Sequence, residues 1–115
     1  MVNRIAVNVR YRKPFVDWVN SSDPYNDNPG MTMESINEDN NVYLIEDKYA
    51  ENFESWLKRN FKTIFENELN DWYVDPTLWS EKRDLRTFRK WFSIECNTVV
   101  LDLGRDGIYD DEEYS

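Results

Sequence analysis

The side chains in this sequence that could do chemistry are mainly carboxylates, because the residues that other reactions need are missing. There is no histidine, which removes imidazole-based triads and the commonest transition-metal ligand. Cys96 is the only cysteine, and no neighbour in the sequence would lower its pKa, so we interpret it as a strand cysteine. Three glycines are too few for a phosphate-binding loop. We therefore expect no catalytic residue, no cofactor and no metal site of a known type.

One set of acids could still converge at the ends of strands. Glu46 and Asp47 follow an apolar run, and Asp102 lies near the end of the last one. If these strands are parallel, their carboxyl ends meet at one edge of the sheet. Two carboxylates there could bind a divalent cation or act as acid and base. This candidate carboxylate cluster supports an alternative function, a carboxylate-based enzyme or a divalent-metal-binding domain. The other interpretation is that all three are ordinary solvated acids.

A second set of residues favours binding to a partner. Arg83, Arg86 and Lys90 have the spacing of one helix face, in a chain whose net charge is -9. Trp72 and Trp79 fall at the end of a predicted helix and in a loop, where we expect them to be partly exposed. Aromatic side chains and arginine are the commonest anchors of protein interfaces. These five residues form a candidate interaction patch for an acidic partner, and the alternative is a solvated helix face.

The composition narrows the class of protein. With 115 residues, 40% of them hydrophobic and 16% aromatic, the chain can build the core of one domain. A net charge of -9 disfavours direct binding to nucleic acid, although it would suit an acidic mimic of nucleic acid. No stretch has the length and hydrophobicity of a signal peptide or a membrane span, so we expect a cytoplasmic protein. We favour a non-enzymatic domain that binds another macromolecule, expected to be a protein, as a monomer or a weak homodimer.

Hydrophobic periodicity and turn residues divide the chain into seven elements. Apolar residues alternate near the N-terminus, whereas those from Phe53 to Trp72 recur at steps of three and four, as on one face of a long helix. Trp56 is expected on the buried face of that helix. A polar connection, 20–41, separates the first helix from the second strand, which we expect to be interior because it has no polar face. The predicted elements are a strand over 5–9, a helix over 14–21, a helical turn over 32–36, a strand over 42–45, helices over 53–72 and 85–92, and a strand over 94–103 with a bulge near 97–98. Thr32 is expected to cap the helical turn, and Asp84 is expected to be the N-cap of the helix over 85–92.

This order predicts an α+β or small α/β fold. The simplest arrangement is a two-layer sandwich, with a mixed sheet of about three strands and the helices packed on one face. Helical connections between strands favour at least one parallel pair with a right-handed crossover. We expect a single compact domain over 1–104 and an acidic, flexible C-terminal tail over 105–115.

Several stretches together resemble a family of small acidic bacterial proteins of uncharacterised function. The resemblance rests on residues 4–7, 13–18, 42–45 and 56–72 and so spans most of the chain. It implies a bacterial, intracellular setting. It implies no activity, and no functional residue can be transferred from it.

Overall fold

The computed structural model describes residues 3–22, 30–101, 103 and 104, and these form the predicted two-layer α+β arrangement. Predicted residue Asp102 and the predicted tail 105–115 lie outside the described residues. Two short 3₁₀ turns, Asp47–Tyr49 and Pro76–Leu78, flank the longest helix. The strands and α-helices are β1 (Arg4–Tyr11), α1 (Lys13–Ser21), α2 (Met33–Ile36), β2 (Val42–Glu46), α3 (Phe53–Trp72), α4 (Leu85–Trp91) and β3 (Phe92–Asn97).

The three strands form an antiparallel sheet in the order β2-β1-β3. Ile5 pairs with Ile45 of β2, and Val9 pairs with Ile94 of β3. The expected mixed sheet, with a parallel pair of neighbours, is therefore wrong. β2 and β3 do run parallel to each other, but β1 lies between them and is antiparallel to both.

One face of the sheet packs against the helices, as predicted. The odd-numbered residues of β1 are buried from Ile5 to Tyr11, whereas the even-numbered residues between them are only partly covered or exposed. Aromatic rings fill much of the space between the layers. Phe65 of α3, for example, lies 5.3 Å from Phe92 and 5.9 Å from Phe88 between ring centroids. The long helix and the sheet are thus joined through a largely aromatic core.

Both outer strands depart from their predicted form. β2 is an edge strand rather than an interior one, and Val42 and Leu44 are 55% and 44% exposed. β3 ends at Asn97, so the predicted continuation to residue 103 and the bulge near 97–98 are wrong. Val99 and Leu101, which were expected to lie in that strand, are each 66% exposed. An apolar run predicts a strand, but it does not show whether another segment of the same chain packs beside that strand and buries its side chains.

Helix ends agree with their predicted capping residues. The side chain of Asp84 accepts a hydrogen bond from the Thr87 amide at 2.7 Å and begins α4. Thr32 and Ser35 form a capping box that begins α2. Further along, the side-chain amide of Asn37 accepts a hydrogen bond from the Tyr11 N–H at 2.9 Å and donates one to the Tyr11 C=O at 3.1 Å. The described part of the 20–41 connection is thereby tied to the end of β1.

Candidate functional site

A groove runs between the solvent side of α3 and the segment 80–84, which precedes α4. Its volume is about 840 Å³. Lys58 and Lys62 reach it from successive turns of α3, since residues four apart share a helix face. The cationic groove, as we call it, contains five basic and three acidic residues in a chain whose net charge is -9. The residues that line it are Lys58, Arg59, Phe61, Lys62, Glu66, Glu81, Lys82, Arg83 and Asp84.

Three contacts hold the side chain of Arg83 in the groove. Its guanidinium donates a hydrogen bond to the Ser80 carbonyl at 2.6 Å, and its centre lies 5.9 Å from the Trp79 ring. It also lies 3.9 Å from the Glu66 carboxylate of α3. These contacts hold the side chain in one place with donors left for a ligand, since guanidinium carries five N–H groups.

The lysines of the groove are less engaged than Arg83. Across the part of the chain that the structure describes, Lys58, Lys62 and Lys82 have no carboxylate within ion-pair distance. Asp84 lies at the same edge, and its carboxylate caps the start of α4 by accepting a hydrogen bond from the Thr87 N–H. Its hydrogen bonds from Thr87, helped by the nearby charges of Lys82 and Arg86, hold the pKa of this carboxyl below its usual range. Among the described residues, the groove therefore offers three lysines without an ion-pair partner.

The predicted interaction patch is only partly brought together. Arg83 lies outside α4 and faces α3 and Trp79, whereas Arg86 and Lys90 are exposed on α4 itself. Trp79 is half-buried and donates its indole N–H to the Tyr73 carbonyl at 2.7 Å. Trp72 is half-buried too, but its ring contacts Tyr11 and Phe15 in the core. Sequence reasoning identified Arg83 and Trp79 but missed the lysines of α3, which are close to them only in the folded chain.

The candidate carboxylate cluster gains no converging partners. Glu46 lies at the end of the edge strand, 3.4 Å from the Lys48 ammonium, and Asp47 begins an exposed turn. The third member, Asp102, lies outside the described residues. No three acidic or cysteine side chains among residues 3–22, 30–101, 103 and 104 are grouped to hold a metal ion. Cys96 is half-buried on the helix side of β3, where burial raises the pKa of its thiol, which disfavours the thiolate.

A buried polar cluster, which sequence reasoning missed, lies at the other end of α3. The Glu68 carboxylate is fully buried and accepts hydrogen bonds from the hydroxyls of Tyr11, at 2.5 Å, and Tyr43. Asn41 donates to Glu68 at 2.7 Å and to Asp71 at 2.6 Å. The cluster thus joins β1 and β2 to α3. Its sequence signal is the position of Glu68, four residues after Ile64 and four before Trp72 on the apolar face.

The Glu68 cluster has the chemistry of a structural link. Burial, and next the hydrogen bond to Glu68, raise the pKa of Tyr11 and of Tyr43 well above the ordinary range, so both remain hydrogen-bond donors. The carboxylate oxygens already accept three donors, and no buried side-chain nitrogen or oxygen in the described residues lacks a partner. The Glu68 carboxylate is therefore engaged within the fold.

The chain was compared with protein families, curated proteins and solved structures. No protein family, curated protein or solved structure with which the chain was compared matches it. Within the described ranges, no helix has the length and hydrophobicity needed to cross a membrane.

Proposed function

We propose that this protein is a non-enzymatic domain that binds an acidic segment of another protein in the cationic groove. The observation that carries the proposal is a set of lysines around one groove, Lys58, Lys62 and Lys82, that have no ion-pair partner in the described part of the chain. Unpaired cations that line one groove create a local field that attracts anionic ligands. Arg83 adds a fixed guanidinium, which can bind a carboxylate through two parallel hydrogen bonds.

An acidic peptide fits this site better than nucleic acid does. A long polyanion would meet the whole surface, and a chain of net charge -9 repels it on average. A short acidic segment instead meets mainly the groove, where the local charge is positive. The same groove argues against an acidic mimic of nucleic acid, which would need a broad surface of one negative sign.

The apolar part of the groove suggests an additional anchor. The buried Phe61 lines the groove, and next to the groove the half-buried Trp79 ring lies against Arg83. An aromatic or aliphatic residue next to the acids of the partner would contact this surface, as interface anchors do. The proposed ligand is therefore a short segment with several carboxylates and one apolar side chain. We place this binding in the cytoplasm, a reducing compartment that suits a chain with one thiol.

Fluorescence anisotropy with a labelled peptide of alternating glutamate and leucine tests the proposal. The double variant Lys58→Glu/Lys62→Glu should bind on the order of tenfold more weakly than the unchanged protein, which corresponds to about 1.4 kcal/mol. Lys13→Glu/Lys48→Glu is the matched control, because it makes the same change of charge outside the groove. The control should bind as the unchanged protein does, apart from a small general effect of net charge.

Two results would overturn the proposal. If both double variants weaken binding equally, the peptide responds to net charge and not to the groove. If a single-stranded oligonucleotide binds more tightly than the acidic peptide at the same salt concentration, the groove recognises phosphate and the partner is not a protein. Circular dichroism spectra of all variants check that they remain folded.

A further inference from the structure

Exposed apolar side chains are concentrated in two short segments of this molecule. Of the seven large hydrophobic residues that are exposed in the described chain, two belong to β2 and three to the segment 98–104. Val99 and Leu101 are each 66% exposed and Leu103 is 93% exposed. Both segments place their exposed residues at every second position, which is the spacing of one face of a β-strand.

The outer edge of β2 is open to another strand. Val9 donates its N–H to the Asn41 carbonyl, and Asp47 donates to the Asn3 carbonyl, so 41 and 47 direct their backbone groups toward β1. Because this direction alternates along a strand, Val42, Leu44 and Glu46 direct theirs away from β1. β2 is at the edge of the sheet, and no other described strand pairs with it. The exposed Val42 and Leu44 side chains lie beside this open edge.

The start of the segment 98–104 cannot reach that edge within its own molecule. It leaves β3 at Asn97, opposite Ala6, on the other side of β1 from β2. A strand added outside β2 would be three strand spacings from β3, about 14 Å. Two residues extend the chain by at most about 7 Å, so Val99 cannot pair with β2 of the same chain. A second copy has no such restriction.

Charge favours one direction for the added strand. The sequence after Gly104 is acidic, with Asp106, Asp110, Asp111, Glu112 and Glu113. The start of β2 is flanked by the acids Glu38, Asp39 and Asp71, with Arg10 close by, whereas Arg4, Lys48 and Arg59 lie around its end together with Glu46 and Asp47. In a parallel arrangement the added strand runs from the more acidic end of β2 toward the end that carries three bases. It places Val99 beside Val42 and Leu101 beside Leu44.

We infer that this protein self-associates by strand addition, in which residues 98–101 of one copy pair with the open edge of β2 in a second copy. The added strand bonds backbone groups that are otherwise left to water, and it covers alternate apolar residues on both chains. Reciprocal exchange between two copies closes a dimer. This inference does not depend on the proposed binding of an acidic segment in the cationic groove.

Disulfide trapping tests the pairing directly. In a Cys96→Ser background, the full chain is given Leu44→Cys, Leu101→Cys or both changes and is then oxidised. The chain with both changes should form covalent dimers on a non-reducing gel, and each single variant should remain monomeric. Efficient dimers of the Leu44→Cys chain alone would show that β2 pairs with β2 of the second copy, which overturns the inference. Absence of dimers in the chain with both changes would overturn it equally.

Sedimentation velocity tests self-association without a crosslink. The unchanged protein should dimerise with rising concentration, and Leu44→Lys and Leu101→Lys should each raise the dissociation constant about tenfold or more. Val74→Lys is the matched control, because Val74 is 78% exposed but belongs to neither segment. It should dimerise normally, as should Lys58→Glu/Lys62→Glu, which separates this inference from the proposed function. A protein that stays monomeric at all concentrations, or a Val74→Lys chain as impaired as the others, would contradict strand addition.

Discussion

Glu68 is the residue whose environment differs most from that of its type, because glutamate is rarely buried without compensation. Here compensation comes from two tyrosine hydroxyls and one asparagine amide, contributed by both strands that lie over this end of α3. These three hydrogen bonds replace those that water would make to the carboxylate, and the carboxylate in turn is the acceptor that the two buried hydroxyls need. The cluster therefore specifies how α3 sits on β1 and β2.

Glu68→Gln should lower the free energy of unfolding by about 1–3 kcal/mol. The amide NH₂ group of glutamine is a donor, so it would face Tyr11, or Tyr43 and Asn41, which are donors too, and at least one buried group would lose its partner. Urea denaturation measures the change. Glu66→Gln is the matched control, because it lies two residues away with a side chain that is 50% exposed, and it should change stability by no more than about 0.5 kcal/mol. Equal effects of the two changes would show that the Glu68 cluster is not a buried network.

Stability should fall as the pH rises above about 10. The ordinary tyrosine pKa is 10.0, and the pKa of Tyr11 and of Tyr43 is raised in the folded protein by burial and by Glu68. Above pH 10.0 the unfolded chain therefore loses protons that the folded chain keeps, which favours unfolding by up to about 1.4 kcal/mol per pH unit for each tyrosine. Below that pH both states are protonated and the contribution is complete.

Urea denaturation between about pH 9 and about pH 11 measures this slope. Tyr43→Phe should lower overall stability but make the dependence on pH shallower. Tyr49→Phe, which removes a hydroxyl outside the Glu68 cluster, is the control and should keep the slope of the unchanged protein. A Tyr43→Phe slope as steep as that of the control would mean that other groups cause the loss of stability.

At the scale of elements, α3 is the helix on which most of the fold is assembled. Its residues Leu57, Phe61, Phe65 and Leu69 follow one face and are buried in the core. Trp56, which was expected on the same face, lies at its margin, where it is only partly buried and stacks on Phe53 with 5.8 Å between ring centroids. The fully buried Phe65 and the marginal Trp56 should therefore contribute unequally to the free energy of unfolding.

Phe65→Ala should destabilise the protein by about 3–5 kcal/mol, because Phe65 is fully buried and its loss leaves a cavity among three aromatic rings. Trp56→Ala should cost less, since water can fill the space that a marginal side chain leaves. Chemical denaturation of both variants at the same pH makes the comparison. A larger loss for Trp56→Ala would place the centre of the core nearer the start of α3 than the burial pattern does.

Elements that depend on local pattern could be predicted from the sequence, and those that depend on distant neighbours could not. The steps of three and four residues in α3 and the capping side chain of Asp84 are local, and both were predicted correctly. The antiparallel order of the strands depends on where the chain returns after each helix, which no local pattern states. β3 ends opposite Ala6 although β1 extends further, to Arg4, and no local pattern states where that pairing stops. The buried position of Glu68 could have been inferred, because a charged residue on an apolar helix face needs a partner.

At the scale of the molecule, charge is distributed unevenly. The chain carries a net charge of -9, yet five basic side chains line one groove. Local sequence showed only the part contributed by 82–90, because the lysines of α3 are some twenty residues earlier. The cationic groove thus results from the packing of α3 beside the segment 80–84. That packing places Arg83 close to Glu66.

Nuclear magnetic resonance mapping tests binding in the cationic groove most directly. Backbone amide signals of the ¹⁵N-labelled full chain are followed while the peptide of alternating glutamate and leucine is added. We predict that the shifts concentrate in 58–62 and 79–84, saturate with added peptide, and shrink in the Lys58→Glu/Lys62→Glu variant. Shifts that centre on β2 and 98–104, or that spread over all basic residues without saturating, would contradict binding in the cationic groove.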